Sequence, residues 1–195
     1  MNFRRICVFC GSNPGVNPVY KNAAAGLGRL LAKRKIELVY GGGNIGLMGV
    51  LADAALEAGG RVIGVIPESL MAKEVGHPGL TELYVVRSMH ERKALMADLA
   101  EGFIALPGGY GTCEEFCEVV TWSQLGFHAK PCGLLNVERY YDPLLALFDH
   151  AVKEGFLRID NRALVLEERD PRRLLEKMSE FQASVVGKWI TDEER

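Results

Sequence analysis

The feature that most constrains this chain is an alternation of short runs of branched and aromatic residues with amphipathic stretches of helical period. Runs suited to strands fall at about Ile6–Phe9, Glu37–Tyr40, Arg61–Ile66, Leu83–Val86, Phe103–Leu106, Cys132–Leu135 and Ala163–Leu166. Helical stretches fall between and after them, at about Pro18–Lys33, Ile45–Ala58, Met89–Ala100, Thr112–Leu125, Tyr141–Glu154 and Pro171–Ala183. The strand runs lack strict in–out alternation, as expected of strands covered on both faces. A βαβα order demands crossover connections and therefore a parallel sheet. The expectation is an α/β chain: one doubly wound domain over residues 1–195, its mainly parallel sheet flanked by helices.

In such a fold ligands bind beyond the carboxyl ends of the strands, so the βα loops are where function is sought. Composition narrows the ligand. A net charge of −2 supplies no basic field, which argues against a nucleic-acid partner. The N-terminal apolar run before Gly11 is too short for a secretory or membrane segment, so a cytoplasmic protein is expected. The five cysteines include a Cys7-x-x-Cys10 pair. No second ligand pair has zinc spacing, and the reading preferred is two small hydrophobes in a buried strand, with no metal.

Four loops stand out. "FCGSNPG" follows the first strand, and Gly11 with Ser12 forms a tight polar turn there. "VYGGGNIGLMG" sets three glycines between a strand and a helix, where backbone N–H groups could approach an anion. It lacks the acidic partner of a dinucleotide fingerprint and the Gly-Lys-Ser/Thr of a P-loop. Tight packing of strand on helix is the competing explanation for those glycines. "RSMHERKALMADL" opens with Ser88-x-x-Glu91, a capping box, and carries Arg92 and Lys93 near the positive end of the helix. An anion there would offset the unfavourable placement; a solvated basic turn would equally serve. Arg92 offers a planar donor fork suited to phosphate or carboxylate.

The fourth loop is "LPGGYGTCEE", a glycine-rich turn that ends in two carboxylates. Thr112-x-x-Glu115 also matches a capping box, so Glu115 could bond the Thr112 N–H or face a ligand. Spacing alone leaves both open. The segment Pro67–Glu82 is long for a connection. It reads either as a lid, with Lys73, Glu74 and His77 toward a ligand, or as a short helix. The chain has no nucleophile elbow and no Cys–His signature, so covalent catalysis has no support.

With these residues assembled, the chain closely resembles the LOG ("lonely guy") family of cytokinin-activating phosphoribohydrolases, whose members have also carried the label lysine decarboxylase. Residues 107–115, "PGGYGTCEE", fit the family pattern P-G-G-x-G-T-x-x-E, and "GGGNIGLMG" and "MHERK" match in order and spacing. The resemblance implies hydrolysis of the N-glycosidic bond of an N6-substituted adenosine 5′-monophosphate, giving the free base and ribose 5-phosphate. It implies a Rossmann-like homodimer acting on a small-molecule nucleoside monophosphate without cofactor or metal. It puts the catalytic arginine and glutamate on Arg92 and Glu115. Substrate contacts would come from Gly11, Ser12, Gly42, Gly43, Met89, Lys93, Pro107, Gly108, Gly109, Tyr110, Gly111 and Thr112. A non-catalytic nucleotide binder or carrier is the alternative. A pyridoxal phosphate decarboxylase would need a Schiff-base lysine, which nothing marks.

Overall fold

The computed structural model describes residues 3–71 and 76–182. Seven strands form one sheet: β1 (Arg5–Phe9), β2 (Glu37–Tyr40), β3 (Val62–Pro67), β4 (Glu82–Val86), β5 (Phe103–Ala105), β6 (Cys132–Leu135) and β7 (Val165–Glu168). All neighbouring pairs are parallel, and the spatial order is β4-β3-β2-β1-β5-β6-β7. The helices are α1 (Pro18–Lys33), α2 (Gly46–Glu57), α3 (Glu68–Met71), α4 (Met89–Leu99), α5 (Tyr110–Leu125), α6 (Asp142–Lys153), α7 (Ile159–Arg162) and α8 (Pro171–Glu180).

Strand residues alternate between two apolar layers. Ile6, Val8, Leu38, Ile104 and Leu135 pack under α1, α2 and α8, where Leu27, Leu31, Leu51, Leu174 and Met178 are fully buried or nearly so. Cys7, Phe9, Val39, Ile63, Phe103 and Leu134 pack under α4, α5 and α6, against Met96, Phe116, Val119 and Leu145. The inner strands β1, β2, β3, β5 and β6 are buried on both faces, which is why no polar–apolar alternation shows in their sequences. Cys7 and Cys10 fall in opposite layers and cannot act as a pair. Burial pushes both thiols up and holds Cys132 at about 12, as befits inert core groups.

Local chemistry fixes most helix starts. Asn17 accepts the Val19 N–H ahead of Pro18, and Asp170 accepts the Arg172 and Arg173 N–H groups ahead of Pro171. Ser88 accepts the Glu91 N–H, but Glu91 returns its bond to the N–H of Arg87 rather than Ser88. The capping box is thus displaced by one residue. Between Pro67 and Glu82 lies the four-residue α3, and Lys73 and Glu74, the expected lid residues, lie outside the described residues.

The chain winds outward from β1 to the edge strand β4, then returns to the centre to lay β5 beside β1. α4 makes that return, crossing beneath β3, β2 and β1. The two halves of the sheet therefore diverge at β1 and β5, and the loops after those strands open a crevice between them. Among the described residues, no helix is long and apolar enough to cross a membrane.

Candidate active site

The crevice holds a cavity of about 260 Å³. Its walls are the ends of β1 and β2 with the loops after them, the first turns of α2 and α4, Leu70 of α3, and the start of α5 from Gly109 to Glu115. A second cavity of about 300 Å³ adjoins it and shares Gly11, Ser12 and Gly109, with Pro107, Gly108 and Tyr140 on its far side. Each lies near or below the lower bound of small-molecule sites, roughly 300–1,000 Å³. Their common rim makes them one crevice.

Arg92 stands on the first turn of α4 and is only 5% exposed. Its guanidinium abuts Gly41, where a Cβ would overlap Nη2. Nη1 donates to Met89 Sδ at 3.8 Å, and Met48 closes the same side. Met89, Arg92 and Met96 lie three and four residues apart on one helix face and all line the cavity.

Glu115 lines the same cavity from α5. That helix starts at Tyr110, two residues before the expected Thr112, with Gly109 as an N-cap that supplies no side-chain bond. Thr112 is therefore the third helical residue, buried against Gly108, and is not the cap. The capping-box reading of Thr112 and Glu115 fails for that reason: the box needs its threonine before the helix. The Glu115 charge is felt by the buried Cys10 thiol, where it adds to burial in raising the pKa. The start of this 16-residue helix lines the crevice with no side-chain cap, an arrangement that favours anions.

The glycines of the two loops differ in their surroundings. Gly42 has a φ of +75° and its carbonyl accepts the His77 N–H at 3.0 Å, while Gly43 bridges to Gly76. Neither lines the two cavities of the crevice. Gly109 and Gly111 have ordinary backbone conformations, and a Cβ at either would meet nothing within 4 Å. Both line the crevice.

Several expected site residues lie elsewhere. Lys93 does not line either cavity; its ammonium is held by Glu114 at 2.5 Å and Glu118 at 2.9 Å. Burial disfavours that charge, but the two carboxylates more than offset it and raise the Lys93 pKa. Glu114, half exposed, is thus tied to α4. His77 does not face the crevice: it is 7% exposed, with Nε2 at 2.9 Å from Asp53 and Nδ1 accepting the Gly79 N–H. Sequence reasoning had missed Val8, Phe9, Cys10, Gly41, Met48, Leu70, Met96 and Tyr140. The i±3 and i+4 spacing about Arg92 was a signal for Met96; the others carry none outside their place at strand ends.

Comparison with known proteins adds four findings. A family model described as "Possible lysine decarboxylase" matches residues 48–178. The cytokinin riboside 5′-monophosphate phosphoribohydrolase LOG of Oryza sativa subsp. japonica is 54% identical over 179 residues, covering 92% of this chain and 74% of the relative. The cytokinin riboside 5′-monophosphate phosphoribohydrolase of Rhodococcoides fascians is 56% identical over 168 residues, covering 86% of this chain and 85% of the relative. Among solved structures, the molybdenum cofactor carrier protein of Chlamydomonas reinhardtii superposes with a TM-score of 0.68 at 21% identity, covering 90% of this chain and 97% of that one. That likeness speaks to the fold alone.

Proposed function

This chain belongs to the LOG family of cytokinin riboside 5′-monophosphate phosphoribohydrolases, and from that premise we propose that it hydrolyses the N-glycosidic bond of adenosine 5′-monophosphates, N6-substituted ones included. The products are the free adenine-type base and ribose 5-phosphate. The observation that carries the reading is that Arg92 and Glu115 line one small cavity beside the uncapped start of α5.

Breaking a glycosidic bond passes through an oxocarbenium-like state. The 5′-phosphate sits at the amides of residues 109–112, with the Thr112 hydroxyl beside it. This leaves the ribose carbon over Glu115, whose carboxylate stabilises the developing positive charge and activates the attacking water. Arg92 stays charged and is unsuited to donating a proton. It orients the phosphate or polarises the leaving base. Gly41 supports this role, since only a residue without a side chain leaves room for the guanidinium there.

Chromatography of adenine released from AMP tests the assignment. Glu115→Gln and Arg92→Ala each lower turnover by about 100-fold or more. Near-normal release by both variants would sink it. A panel of nucleoside, mono-, di- and triphosphate tests the phosphate site, and equal rates on nucleoside and monophosphate would contradict it.

The protein acts as a cytoplasmic homodimer in this reading. What supports the dimer is the outer edge of the sheet, where Leu83, Tyr84 and Val85 of β4 and the adjacent Met89 are 37–49% exposed. An apolar edge strand invites a partner. Sedimentation at micromolar concentration reads the state directly, and a monomer would overturn that part alone.

A further inference from the structure

The loop after β6, residues 136–141, carries no glycine and no phosphate motif, yet it is bound to the phosphate loop by two side chains. Glu138 and Arg139 both take left-handed backbone angles, with φ of +50° and +62°. Two consecutive non-glycine residues in that region store strain, and such strain persists only where the surroundings enforce it. Asn136 enforces it here. Its side chain, 3% exposed, accepts the Tyr141 N–H and donates to Asp142, both at 2.8 Å, so the start of the loop is stitched to its end.

The result is a pair of adjacent tyrosines aimed at residues 106–108. Tyr141 donates to the Leu106 carbonyl and Tyr140 to the Gly108 carbonyl, each at 2.6 Å. The carbonyl between them, on Pro107, accepts the Gly11 N–H at 3.1 Å. All three acceptors at the approach to α5 are therefore engaged by protein donors. Tyr140 is steadied by edge-on contacts with Tyr20 and Tyr141, at 5.9 and 5.1 Å between ring centres.

The consequence is electrostatic. In a trans peptide the C=O and the following N–H point in opposite directions. Holding the Gly108 carbonyl toward Tyr140 aims the Gly109 N–H the other way, and Gly109 belongs to the rim shared by both cavities. A carbonyl that turned inward would set partial negative charge against a phosphate.

We propose that Tyr140 is a positioning residue for the anion site: its phenol fixes the Gly108–Gly109 peptide so that the loop offers donors, and no acceptor, to the 5′-phosphate. The proposal rests on reading the crevice as a monophosphate site. Tyr140 touches the loop and not the reacting atoms, so its removal weakens binding and spares the chemical step.

The test is calorimetric titration of ribose 5-phosphate, and of ribose as control, into the wild-type protein and Tyr140→Phe, followed by AMP hydrolysis kinetics. Tyr140 is 40% exposed, so the phenylalanine variant folds. The expected result is about a tenfold weaker Kd for ribose 5-phosphate, about 1.4 kcal/mol. KM for AMP rises by a similar factor while kcat stays within about threefold, a split that uniform binding loss produces. Equal affinity of variant and wild type overturns the proposal, as does a fall in kcat without a rise in KM. Failure of the wild type to prefer ribose 5-phosphate over ribose overturns the phosphate reading itself, and the role of Tyr140 with it.

Discussion

Two glycine-rich loops face each other across the switch point of this sheet, and they use the same residue for opposite ends. At Gly41 and Gly42 the space a side chain would need is taken up by protein, Arg92 against the first and Ile66 and Leu83 close to the left-handed second, and Gly43 bridges to Gly76. At Gly109 and Gly111 it is vacant. The helices that follow repeat the contrast. Neither helix has a side-chain cap, but the Leu47 N–H in the first turn of α2 is spent on the Gly11 carbonyl, whereas the first turn of α5 lines the crevice. Glycine in the first loop lets protein approach protein; in the second it leaves room for a ligand to reach the backbone.

Alanine substitutions separate the two uses, most sharply at Gly41. A methyl group there displaces the Arg92 guanidinium, and a misplacement of about 1 Å is enough to cost on the order of 100-fold in turnover. Wild-type turnover in Gly41→Ala would break the comparison. Gly111→Ala is the sharper test of sign. Its helical position favours alanine by about 0.5–1 kcal/mol, so Tm rises by roughly 2 °C, while KM for AMP rises by about tenfold as the methyl enters the crevice. A variant that gains stability and keeps its KM would show that no ligand approaches that backbone. Gly42→Ala has the reverse signature. Forcing a left-handed non-glycine residue costs about 1–2 kcal/mol, read as a Tm lowered by roughly 4 °C with KM unchanged. The smallest effect is expected from Glu114→Gln. It removes one of two partners of Lys93 at a half-exposed pair, which changes stability by under about 1 kcal/mol and leaves turnover intact. A large loss of turnover there would return Lys93 to the site.

Elements whose signals are local were legible in the sequence. β2, β6 and α1 fall on the expected residues because apolar runs bounded by Asn17-Pro18 and by turns decide them without help. The start of α5 was not, since Gly-Tyr-Gly reads as a turn by composition but takes up the helix in the fold. That shift of two residues is what removes the capping role from Glu115. Arg92 and Glu115 could be singled out from their motifs, but their sharing of one cavity depends on α4 crossing beneath the sheet. Lys93 and His77 were misread for the same reason in reverse. Their partners lie on other elements, 21 to 25 residues away, and no window of sequence contains them. The β6–α6 loop was overlooked altogether, because its tyrosines act on carbonyls more than 30 residues distant.

The position of β5 has a consequence for biosynthesis. β1 is a central strand, yet its partner on one side, Phe103–Ala105, emerges only after four strands have been made. A ribosome adding roughly 5–20 residues per second leaves that apolar edge of β1 unpaired for on the order of ten seconds. During that interval Cys7, Val8 and Phe9 present a bare template to any other extended chain. The strand that ends the exposure is three residues long, so it gains little from its own backbone pairing and depends on Phe103 and Ile104 entering the two apolar layers. Substitutions at those two positions should therefore show first as lost soluble yield, before any defect in the purified enzyme.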